Sequence, residues 1–221
     1  MNSRRAFTLI ELLVVIGLIA LLVGGLTLAL GDTGVTSLAT AQNTLATLVG
    51  TARAQAAVKQ TEARLLIYAT RPPTGDTEKY LRYFRVVIAN TPGVTATGAT
   101  WTAVGAPVSL PRGVFVVPAS TTGLLATGVV WPANPAPTSI FISTTAASYT
   151  VTGDPATTAA DTYFAVEFAP NGSVLPTAPK LAVATATVVN GLPQFNNAGA
   201  VRGLVLRSSG AVTRVNDAGS F

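Results

Sequence analysis

Between Leu12 and Leu30 the chain carries nineteen consecutive residues without a charge, preceded by one acid, Glu11, and by the basic pair Arg4-Arg5. As a helix the run extends about 28 Å at 1.5 Å per residue, close to the thickness of a bilayer's hydrocarbon layer. The basic pair is expected to stay on the cytoplasmic side, which sends the C-terminal part outward. A carboxylate carried deep into lipid costs about 2.5–3.5 kcal/mol, so Glu11 is expected to be kept for a partner.

With that helix set aside, 221 residues leave room for one globular head. Charged residues make up only 10% and hydrophobic ones 49%, dominated with Thr and Gly by Ala and Val, which suits a secreted, strand-rich protein. Lys and Arg number 14 against 9 Asp and Glu. Without Arg4 and Arg5 the balance is 12 to 9, an excess too small and scattered to imply nucleic acid. The absence of Cys excludes disulfides and thiolate chemistry, and the absence of His removes the commonest general base and metal ligand.

The stretch Arg4-Arg5-Ala6-Phe7-Thr8-Leu9-Ile10-Glu11-Leu12-Leu13 resembles the cleavage and methylation motif of type IV prepilins and type II secretion pseudopilins. The resemblance implies a leader of residues 1–6, cut between Ala6 and Phe7 by a prepilin peptidase that also methylates the new amino group of Phe7. It implies that Glu11, fifth in the mature chain, pairs with the terminal amine of a neighbouring subunit. That pairing would neutralise two charges that neither copy can cheaply bury alone. The family usually has Gly before the cut, where this chain has Ala6, small enough for the same pocket but a reason for slower processing. The alternative is a Sec-type leader cut near Ala29-Leu30-Gly31 to release a soluble protein, which leaves Glu11 without a purpose.

Gly31-Asp32-Thr33-Gly34 reads as a helix interruption, and a second helical stretch is expected from Val35 to Lys59. Leu38, Ala41, Leu45, Leu48, Ala52 and Ala56 form its apolar stripe. The expected organisation is a transmembrane and assembly helix over 7–30, an amphipathic half over 31–60 and a β-rich head over 61–221. The fold class is α+β: a long N-terminal helix packed on a mainly antiparallel sheet. Strands are expected over 64–69, 80–88, 113–117, 139–143, 163–168 and 203–207, with a loop-rich insertion at about 119–161. The turns at Asn171-Gly172 and Ser209-Gly210, and the run Arg64-Leu-Leu-Ile-Tyr68, resemble the closing hairpins and first head strand of H-type minor pseudopilins and T-type minor pilins.

The head offers no expected catalytic, cofactor or metal site. Serines lack a histidine partner, and Asp76 and Glu78 supply too few carboxylates for a calcium loop. Arg202, Arg207 and Arg214 are candidate nucleic-acid contacts in an alternative reading as a DNA-uptake or adhesive minor pilin. Their spacing favours a solvated strand edge, because phosphate binding needs a clustered positive surface. The expected partners are therefore the prepilin peptidase and N-methyltransferase, other pilin or pseudopilin subunits, the inner membrane and a secreted cargo, and not nucleic acid. The protein is expected to be a single-pass subunit with its head in the periplasm or outside the cell, not an enzyme.

Overall fold

The computed structural model describes residues 9–29, 33–72, 74–90, 100–118, 146–153, 161–175, 179–195 and 200–217. The chain divides into two compact units, Met1–Thr36 and Ser37–Phe221. The first carries helix α1 (Leu9–Ala29). Helix α2 (Thr33–Lys59) begins in the first unit and runs into the second. Residues 30–32 lie outside the described residues, so the N-terminal helical region is seen here as two helices.

All six residues of the expected apolar stripe of α2 are buried, together with Val49 and Gln42. The helix ends where Gln60 takes a left-handed backbone (φ 51°), letting Thr61 N–H reach back to the Ala56 carbonyl at 3.2 Å. That turn redirects the chain straight into the first strand.

The strands are β1 (Ala63–Tyr68), β2 (Tyr83–Ala89), β3 (Thr100–Ser109), β4 (Val114–Val116), β5 (Ala147–Ser148) and β6 (Thr150–Thr152), followed by β7 (Thr162–Phe168), β8 (Val174–Leu175), β9 (Lys180–Val189), β10 (Leu192–Phe195), β11 (Val201–Leu206) and β12 (Val212–Val215). In place of the one sheet expected, they make two. The first runs β5-β7-β1-β2-β3-β6, with β8 added to β7; the second runs β10-β9-β11-β12, with β4 on β9.

The first sheet closes on itself. Only Tyr149 separates β5 from β6, yet β5 pairs with β7 through Ala147↔Tyr163 and Ser148↔Thr162, while β6 pairs with β3 through Thr100↔Thr150, Trp101↔Val151 and Thr102↔Thr152. One short stretch thus joins the two ends of the β7-β1-β2-β3 run into a small barrel and covers part of the edges such a run would expose. The β3–β6 pairing is parallel, unlike every other pairing in either sheet among the described residues.

Closure explains why every residue of β1 is buried. The outward face, Ala63, Leu65 and Ile67 with Phe84, Val86, Phe164, Val166 and Phe168, shares one apolar cluster with α2 and the second sheet. The inward face, Leu66 and Tyr68 with Tyr83, Val87, Trp101, Tyr149, Tyr163 and Ala165, forms a separate cluster inside the barrel. A continuous apolar run such as Leu65-Leu-Ile67 fits a strand covered on both sides. The second sheet is tied to α2 by Gln42, whose buried amide donates to the carbonyls of Gly203 and Val215, both at 2.8 Å.

Other expectations shift. The strand expected from Tyr80 begins at Tyr83, because residues 79–82 form a turn in which Leu81 has φ 55° and Tyr83 N–H bonds the Lys79 carbonyl at 2.9 Å. The strand expected over 139–143 lies outside the described residues. Strands β3 and β9, each of ten residues, were not among those expected.

Candidate assembly helix and the buried charge cluster

Helix α1 is apolar around its whole circumference. The described side chains of α1, from Leu9, 83% exposed, to Ile19, 55% exposed, are all exposed. A helix without a polar face needs lipid or other chains around it. Glu11 is the acid of its first turn, where a negative charge meets the positive end of the helix dipole. Ala6 and Phe7 lie outside the described residues. The backbone of α1, 21 residues, spans about 31 Å. Among the described residues no helix is long and apolar enough to cross a membrane, and the described side chains of α1 end at Ile19.

A cluster of buried charges lies inside one end of the barrel. Arg64, 3% exposed, donates from Nε and Nη2 to Glu62 Oε1 at 2.8 and 2.6 Å, lies 3.0 Å from Glu167 Oε1, and donates from Nη1 to Tyr149 Oη at 2.9 Å. Its guanidinium carbon sits 4.5 Å from the centre of the Trp101 ring and 5.5 Å from that of Tyr149. Register produces this arrangement, since β1–β7 pairing sets Arg64 opposite Glu167. Burial pulls the Arg64 pKa down, but Tyr149, Glu167 and Glu62 outweigh it and hold it above the ordinary value. Burial also raises Glu167, against the opposing pull of Arg64. The cluster is fully engaged with itself and offers no free donor set for a ligand.

The raised Glu167 has a measurable consequence. Such a carboxyl holds its proton more tightly folded than unfolded, so its contribution favours folding below the ordinary glutamate range and is lost as pH rises through the raised folded value. Glu167→Gln should therefore gain stability relative to wild type as the pH of thermal unfolding is moved from 4 to 7. The opposite trend would mean that the ion pair with Arg64 outweighs the cost of burial.

Arg202 lies on β11, Arg214 on β12 and Arg207 in the turn between them. Register sets Arg214 opposite Leu204, on the same face as Arg202 two residues away. Arg207, which pairs with Ala211 through an N–H bond of 2.8 Å, has the opposite parity and falls on the other face. The structure therefore does not gather the three into one patch. Asp76 and Glu78 sit in a turn where each carboxylate meets a cation, Lys79 at 3.8 Å and Arg82 at 3.3 Å. No group of three or more possible metal ligands occurs among the described residues. An open groove of about 340 Å³ between Val108 and the Thr40, Asn43, Thr44, Thr47 and Leu48 face of α2 has no ionisable lining.

The two turns singled out in the sequence do meet. Gly172 and Gly210, both at φ 78°, stack on each other and on the side chain of Arg53 in α2, and Val174 N–H bonds the Ser208 carbonyl at 3.0 Å. Sequence reasoning missed the Arg64 cluster and Gln42. The signal available was an arginine two residues after Glu62 in an otherwise uncharged strand, and an amide beside an apolar stripe.

No curated protein and no solved structure matches the chain. Residues 1–27 match the family model described as the prokaryotic N-terminal methylation motif, and this match supports a type IV pilin-like protein processed by a prepilin peptidase and assembled with other pilin subunits.

Proposed function

We propose that the protein is a structural, non-catalytic subunit of a type II secretion or type IV pilus-like filament. It is held in the bacterial inner membrane by the helix over 7–30 before assembly, with the head on the periplasmic or outer side. The observation that carries this is the match to the methylation motif over residues 1–27, within which helix α1 begins and leaves every described side chain exposed. Within that class a minor pseudopilin of the H type is the preferred reading, supported by the two closing turns that converge on Arg53. A nucleic-acid role for Arg202, Arg207 and Arg214 gains no support from a register that splits them between two faces.

The test is the mature N-terminus together with incorporation into filaments. Mass spectrometry of protein from its native membrane should show N-methylated Phe7 at the start. Glu11→Ala should lower incorporation into sedimentable filaments at least tenfold while leaving the head's unfolding unchanged. A chain beginning near Asp32, or an alanine variant that assembles normally, ends this reading.

A further inference from the structure

We propose that the strand closing the barrel, residues 146–153, is exchangeable between copies, so that in the assembled protein a second copy's strand fills the cleft between β3 and β7. The stretch is held by two register pairs on one side and three on the other. Its one buried side chain is Tyr149, whose ring meets Trp101 and Tyr163 edge to face at 6.0 and 6.3 Å and whose hydroxyl accepts from Arg64. Its neighbours Ala147, Ser148, Thr150 and Thr152 are exposed.

The cleft thus recognises an extended segment with one central tyrosine, and the same segment of a second copy fits it by construction. Exchange conserves every contact, so its balance is set by the tethers and by local concentration. Residues 154–160 connect the strand to β7 and reach at most about 25 Å, which restricts exchange to copies packed side by side. Filament assembly supplies that packing, and to this extent the inference rests on the proposed function.

The chain has no cysteine, which makes the test clean. Thr102 and Thr152 hold their hydroxyl oxygens 3.3 Å apart across the β3–β6 pair. Thr102→Cys and Thr152→Cys full-length chains are made separately, assembled together and oxidised, with Ser209→Cys in place of Thr152→Cys as the surface control. Filament formation is scored independently by sedimentation. Exchange predicts a disulfide-linked heterodimer at least fivefold above the control, lost when Tyr149→Ala is added to the Thr152→Cys chain. Filaments without that heterodimer, combined with an intrachain disulfide in the Thr102→Cys, Thr152→Cys double variant, overturn the exchange and leave the assembly reading standing. Failure to sediment at all, with no heterodimer, overturns both.

Discussion

Replacing Arg64 by alanine is expected to destabilise the head by about 3–5 kcal/mol at neutral pH, the range for removing one partner from a buried ion pair. The loss has three sources. Glu62 and Glu167, with side chains 15% and 21% exposed, are left as like charges facing one site with no cation between them. Tyr149 loses the donor to its hydroxyl. Trp101 loses the guanidinium that lies 4.5 Å from its ring centre, leaving a void inside the barrel. Chemical denaturation followed by tryptophan fluorescence measures the change. The deficit should shrink toward pH 4, where Glu167, raised by its burial, takes up a proton. Replacing the whole set, with Arg64→Met, Glu62→Gln and Glu167→Gln together, should cost much less, because no charge then remains buried. A single alanine variant as stable as wild type would show that solvent reaches this end of the barrel freely.

Gly210→Ala is expected to cost about 2–4 kcal/mol, combining left-handed backbone strain with overpacking. At φ 78° the residue occupies a region that side chains disfavour. A Cβ there would overlap the Gly172 carbonyl oxygen and come within 2.9 Å of the Arg53 Cδ and Nε. The oxygen belongs to the backbone of another turn, so relief requires the two turns to separate. Two controls divide the terms. Gly105→Ala, at φ 66° with open space around the added carbon, should show the strain alone, roughly 1–2 kcal/mol. Gly172→Ala meets the flexible Arg53 side chain at 3.2 Å and should fall between them. Equal losses at 105 and 210 would mean that stacking of the two turns contributes nothing.

These two sites differ in how far the sequence exposes them. Both turn glycines are legible as turns, because Asn171-Gly172 and Ser209-Gly210 stand between strand-like runs. That they touch each other and α2 is not legible, since the turns lie far apart along the chain and nothing local joins them. Arg64 is visible only as a lone charge in an apolar strand, and its partners Glu62, Tyr149 and Glu167 are brought in by strand pairing. Strands β3 and β9 escaped notice for a local reason. The first is interrupted by Gly105 and Pro107. The second mixes Ala and Thr with Leu and Val, so that apolar residues stand on both faces and no period of two is declared.

What the sequence determined by itself was what short-range chemistry enforces: the motif around Phe7 and Glu11, the uncharged run that follows, and the stripe that buries α2 against the head. Periodicity and composition act over a few turns, and there they suffice. Only the tertiary structure decided that the first of the two sheets closes into a barrel, and that its inner face carries a second, aromatic core. That outcome depends on residues 147–152 pairing with strands on both sides at once, a contact between distant segments whose register no local pattern encodes.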